Sequence, residues 1–263
     1  GRAALIPYLT AGVPRLDALP DLVGAAFAGG ADVVEVGVPF SDPLADGPIL
    51  QRAAEMALAG DYTLAGLFRT LAATPKTGPV VLLTYINPVL AWGPDRFVAA
   101  AHEAGASGLI VPDLPWEESH DLDRVCRAAG LALIPLAAPT STDAHLRRIG
   151  QARGFVYAVS LTGVTGVRQQ LDPELPAFAA RVRRLARLPV AVGFGISTPD
   201  HARAVARLAD GVIVGSALVR AVMEAVREAE TEGQTEPAAT VNAFVAQFRE
   251  AVAGSHLEEV GTD

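Results

Sequence analysis

Eight short apolar runs recur along the chain: LIPYLT from Leu5, DVVEVGV from Asp32, VVLLTY from Val80, GLIVPD from Gly108, ALIPLA from Ala132, FVYAVS from Phe155, PVAVGFG from Pro189 and GVIVGSA from Gly211. Most are continuously apolar rather than alternating, which is the pattern of strands covered on both faces in a parallel sheet. Between them, apolar residues at helical spacing predict helices over Leu16 to Ala28, Pro94 to Ala104, Trp116 to Ala129, Thr142 to Ala152, Pro173 to Ala186 and Pro199 to Leu208. Thr198 is placed to cap the last of these, with Pro199 at its first helical position. Glycines at Gly29, Gly105 and Gly130 mark helix ends. A β–α unit repeated eight times, with a longer insertion after the second strand, predicts a (β/α)8 TIM barrel. An open doubly wound sheet favours a Gly-rich turn after strand 1, and the TAGVP found there is no dinucleotide fingerprint. The reading is of one domain over residues 1–263, with a polar turn near 230–238 and a final closing helix in VNAFVAQFREAVA.

Composition narrows the chemistry. The 263 residues and the 51% hydrophobic content suit one barrel with a sizeable core. A net charge of −8 without blocks of like charge argues against nucleic acid or an anionic membrane as partner. A phosphorylated substrate remains compatible, because backbone amides bind phosphate without lysine. The single cysteine, Cys126, excludes an intrachain disulfide and reads as a buried small hydrophobe. His102, His120, His145, His201 and His256 show no metal-ligand spacing, so no metal site is expected. No apolar run reaches the roughly 18 residues of a membrane span. No signal peptide is visible, although the chain opens at Gly1 and an upstream address is outside this reading. Among 21 basic residues only Lys76 is a lysine, so Schiff-base chemistry has one candidate. It precedes the third strand, at the end away from a barrel's catalytic face, and reads as a surface residue.

Candidate chemistry concentrates at the C-terminal ends of the strands, where barrels of this kind build their sites. Strand 6 leads to SLTGVTG, ending at Gly166; strand 7 ends in GFGIS with Gly195; strand 8 ends in VGSALV, where Gly215 and Ser216 open a helical run. Glycines let backbone N–H groups approach an oxyanion, and a helix N-terminus adds favourable charge. Glu35 lies between Val34 and Val36, inside a strand that is otherwise core. Burial of such a carboxyl raises its pKa and makes it a proton donor near neutrality. Asp46 follows in the loop DPLADGP, stiffened by Pro43 and Pro48. Two carboxyls within reach of one ligand can divide acid and base work. Asp42, before Pro43, also fits a residue that merely shapes the turn.

The run VEVGVPFSDPLADGP resembles the signature of the tryptophan synthase α subunit family. LIPYLTAG, LTYINPVLAWG, VPDLPWEES, YAVSLTGVTG, VGFGIS and VGSALV follow in that family's order, so the likeness covers roughly residues 2 to 250. A helix that the family usually carries before strand 1, capping the barrel bottom, is not seen before Leu5, which bears on stability more than on catalysis. The resemblance implies retro-aldol cleavage of indole-3-glycerol phosphate to indole and glyceraldehyde 3-phosphate, in L-tryptophan biosynthesis. It implies catalytic roles for Glu35, as proton donor to the indole ring, and Asp46, as partner of the indole N–H. Tyr157 matches a tyrosine beside the glutamate and Thr165 a threonine of a mobile loop. Tyr8 (often Phe in the family), Leu83 and Phe194 match the indole pocket, and Gly166, Gly195, Gly215 and Ser216 match phosphate-binding positions. No cofactor is implied in this chain. Pyridoxal phosphate is implied only in a β subunit, the expected partner in a cytoplasmic α2β2 enzyme, with Asp42, Pro43 and Asn87 at the interface. The alternative is a stand-alone indole-3-glycerol-phosphate lyase without that partner.

Overall fold

The computed structural model describes residues 2–159, 172–193, 195–232 and 236–254. Its strands are β1 (Ala4–Thr10), β2 (Val34–Gly37), β3 (Val80–Leu83), β4 (Ala106–Ile110), β5 (Ala132–Ile134), β6 (Leu136–Ala137), β7 (Val156–Val159), β8 (Val190–Gly193) and β9 (Gly211–Val214). All pair in parallel, in the order β5-β4-β3-β2-β1-β9-β8-β7-β6. The predicted fifth run is thus two strands. Pro135 separates them: it has no N–H to give to a ladder. Its carbonyl still accepts the Tyr157 N–H at 2.9 Å. One half of the run pairs with β4 and the other with β7, so the ring closes through the chain itself.

The helices are α1 (Leu19–Ala28), α2 (Pro48–Ala59), α3 (Leu64–Ala73), α4 (Ile86–Trp92), α5 (Pro94–Glu103), α6 (His120–Ala128), α7 (Asp143–Ile149), α8 (Leu175–Ala186), α9 (Pro199–Ala206), α10 (Ser216–Glu232) and α11 (Pro237–Ala253). Proline opens α2, α5, α9 and α11, where a missing N–H costs nothing. The Thr198 hydroxyl accepts the His201 N–H at 3.2 Å, as the sequence predicted. Gly30, Gly105 and Gly130 take positive φ just past helix ends. The insertion after β2 folds as α2 and α3, and α11 lies against α1, α9 and α10.

Alternation along each strand splits the core. Val34 and Val36 face the helices, within the main apolar cluster. The barrel interior holds Ile6, Val81, Ile110, Ile134, Tyr157, Ala191 and Ile213, one residue from each of seven strands. On β2 the corresponding inward position, beside Val81 in register, is Glu35.

At the N-terminal ends of the strands the charges are paired. The Asp32 N–H donates to Leu5 O at 2.9 Å, and its carboxylate accepts the Leu5 N–H at 2.8 Å. Arg249 of α11 donates to the same carboxylate at 2.6 Å and Arg2 grips it with two bonds. Asp210 repeats the device before β9. Its N–H donates to Val190 O, its carboxylate accepts the Val190 N–H at 2.9 Å, and Arg183 of α8 pairs with it. Lys76 is half-buried rather than freely exposed. Its ammonium donates to Leu71 O at 2.5 Å and Thr74 O at 3.0 Å, closing the end of α3. Cys126 is free and fully buried in α6. No described helix is long and apolar enough to cross a membrane.

Candidate active site

Glu35 is 1% exposed, and among the described residues neither of its carboxylate oxygens has a hydrogen-bond partner. Burial, and secondarily the charge of Asp46, push its pKa up to about 8. Tyr8 stands directly across the β1–β2 ladder from it. The Tyr8 ring lies over Gly37: a Cβ there would sit 1.9 Å from the Tyr8 hydroxyl. Tyr157 likewise lies over Gly193, where a Cβ would come within 2.6 Å of its hydroxyl. Glycine at these two inward positions makes room for two phenol rings beside Glu35. Burial raises the pKa of both tyrosines, and the charges of Glu35 and Asp46 add to the effect.

The loop after β2 is held by its own turns. Leu44 N–H donates to Asp42 O, Asp46 N–H donates to Pro43 O, and Gln51 of α2 donates to Asp46 O at 2.9 Å. Above β3, the Tyr85 hydroxyl accepts the N–H of Ala45, the residue before Asp46, at 3.1 Å. Burial pushes the Asp46 pKa up to about 6, and the nearby Tyr85 hydroxyl offsets part of that rise. Between about pH 6 and 8, the site therefore holds a protonated Glu35 and an ionised Asp46 in one mouth. Tyr85, 2% exposed and missed from the sequence, closes the run VVLLTY in which only Leu83 had been singled out. Leu83 itself is half-buried and packs against the interior cluster.

Gly195 and Gly215 follow β8 and β9 on the same rim. Gly195 has φ +75°, which favours glycine, and Gly215 precedes the first residue of α10, Ser216. Among the described residues, a Cβ at Gly215 would touch only Tyr8, at an ordinary 3.8 Å. Packing among the described residues does not demand glycine there, and a helix N-terminus suits an anion. Thr165, Gly166 and Phe194 lie outside the described residues. Asp42 and Asn87 are exposed and Pro43 is half-buried; beside them Leu44 and Leu90 expose 89% and 58% of their surface. Among the described residues no group of three or more His, Cys, Asp or Glu side chains is placed to hold a metal ion.

The fold is a parallel barrel of the (β/α)8 class, with a buried acid that has no partner among the described residues in its interior layer and a second carboxyl on the rim. The family model for the tryptophan synthase alpha chain matches residues 1–252. The tryptophan synthase alpha chain of Roseiflexus sp. (strain RS-1) is 50% identical over 226 residues, 84% of this chain and 87% of that protein. That of Geobacillus thermodenitrificans is 48% identical over 224 residues, 84% of each. Among solved structures, tryptophan synthase subunit alpha from Legionella pneumophila superposes with a TM-score of 0.86 at 39% identity, covering 95% of this chain and 93% of that one. Mycobacterium tuberculosis tryptophan synthase gives 0.85 at 38%, with the same coverage. The chain belongs to the tryptophan synthase alpha chain family.

Proposed function

We propose that Glu35 and Asp46 carry out the lyase reaction of this family, the cleavage of indole-3-glycerol phosphate into indole and glyceraldehyde 3-phosphate. The observation that carries this reading is the buried Glu35 carboxyl, unpaired among the described residues and pushed up to about 8. Glu35 gives its proton to C3 of the indole ring. The ring becomes a cation, and ionised Asp46 accepts the N–H hydrogen bond and offsets that charge. Glu35, now a carboxylate, takes the proton of the glycerol hydroxyl next to C3. The bond between C3 and the glycerol carbon breaks and its electron pair returns to the ring, giving indole and an aldehyde. Glu35 ends protonated as it began. Tyr8, Leu83 and Tyr157 line the indole site, with Phe194 and Thr165 completing it. Gly195, Gly215 and Ser216, with Gly166, hold the phosphate. Each acid–base role contributes about 10²–10⁴-fold.

The chain works with a β subunit as the cytoplasmic α2β2 enzyme. The pyridoxal phosphate of the second half-reaction belongs to that partner, and this chain takes no cofactor of its own. Asp42, Pro43, Asn87, Leu44 and Leu90 form the docking surface, because two leucines this exposed on one rim suit a protein contact. This favours the partnered enzyme over a stand-alone lyase. The test is indole release from indole-3-glycerol phosphate by the chain alone and with a β subunit added. Weak release that rises strongly on addition supports the reading. Fast release unchanged by the partner would establish the stand-alone lyase, and none from a folded protein would overturn both.

A further inference from the structure

We propose that Gln51 is a positioning residue, whose side-chain amide pins the main chain of Asp46 and so aims its carboxylate; this rests on the reading that Asp46 acts in the cleavage. Gln51 is the fourth residue of α2 and is exposed. Its amide N–H donates to the Asp46 carbonyl at 2.9 Å. The ladder of α2 begins one residue later, where the Gln51 main-chain N–H donates to Gly47 O at 3.0 Å. The Asp46 carbonyl therefore lies outside the helix. Among the described residues, the Gln51 amide is the only hydrogen-bond donor to it. The Asp46 N–H is bonded too, to Pro43 O at 3.0 Å. Both main-chain polar groups of Asp46 are thus held. The rotamers open to a side chain depend on its backbone torsions, so these two bonds limit where the carboxylate points.

The stem that carries Gln51 is itself fixed. Ala53, Ala54 and Ala57 of α2 are buried. Ala57 packs so closely on the turn after β1 that a Cβ at Gly12 would come within 2.9 Å of it. From the other side of the loop, the Tyr85 hydroxyl accepts the N–H of the preceding residue, Ala45, at 3.1 Å. Gln51 thus ties a loop of short turns to a helix seated on the barrel. Asp46 meets a full positive charge only once C3 of the indole ring is protonated. A misaimed carboxylate therefore weakens the transition state more than the bound substrate.

The experiment measures kcat and KM for indole release by the complex with the β subunit, with urea unfolding midpoints of the same chains. The chains are the native one, Gln51→Met, Gln51→Glu, Asp46→Asn, and Gln51→Met combined with Asp46→Asn. Methionine and glutamine have nearly equal helix propensity, so Gln51→Met should leave α2 and the unfolding midpoint unchanged. It should lower kcat by about 3–10-fold, the scale of one hydrogen bond, and leave KM within about twofold. Gln51→Glu keeps the shape but has no donor when ionised, and should lose at least as much. On the Asp46→Asn background the added loss from Gln51→Met should shrink below about twofold, because the carboxylate it acts through is gone. No change in kcat, a rise in KM alone, or the same loss on both backgrounds would overturn the positioning role. Full activity in Asp46→Asn would instead overturn the reading of the site on which it rests.

Discussion

Asp32 and Glu35 stand three residues apart on one segment of chain, and the barrel treats them in opposite ways. Asp32, at the N-terminal end, accepts bonds from Arg2, Arg249 and the Leu5 amide, and these hold its carboxyl below the usual range despite partial burial. Glu35, toward the C-terminal end, has lost its water, has no partner among the described residues, and is pushed up to about 8. Sequence distance of a single helical turn's worth of residues thus separates a carboxylate that holds the fold from an acid that strains it. Stability is gathered at one rim, and reactivity is left at the other.

Breaking the reactive member has the largest expected effect. Glu35→Gln should lower kcat for indole release by about 10²–10⁴-fold, without loss of stability, since it replaces a costly buried acid by a neutral isostere. Breaking the paired member should do the reverse. Asp32→Asn leaves Arg249 poorly partnered and should cost about 2 kcal/mol in urea unfolding. The activity of the molecules that remain folded should not change.

The pH dependence of stability sharpens the contrast, because the two signs differ. The folded pKa of Asp32 is depressed, so its contribution is present above the ordinary carboxylate range and is lost as pH falls through the lowered value. The folded pKa of Glu35 is raised, so stability is fullest below the ordinary glutamate range and is lost as pH rises toward about 8. Unfolding midpoints across pH should show the alkaline decline flattened in Glu35→Gln and the acid decline flattened in Asp32→Asn. The smallest effect belongs to Asp17, whose pair with Arg15 is exposed. Asp17→Asn should leave the urea unfolding midpoint unchanged.

Much of this contrast was legible in the letters. The eight apolar runs were plain because strands buried on both faces leave polar positions no place. For the same reason Glu35 stood out as the exception within DVVEVGV. Three things were not visible. Pro135 lies inside ALIPLA, but only the ring shows that it divides the run between two neighbours, β4 and β7. Tyr85 reads as one more aromatic at a strand end. Its role depends on where the loop around Ala45 comes back in space, and spacing along the chain does not encode that return. The pairing of Tyr8 with Gly37, and of Tyr157 with Gly193, is hidden in the same way.

The most direct test is a carbon-detected NMR titration of the Asp32 and Glu35 side-chain carboxyls in one sample of the folded chain. The account predicts that Asp32 titrates below the ordinary carboxylate range and Glu35 near 8. A Glu35 that titrates near 4.5, like an exposed glutamate, would contradict it.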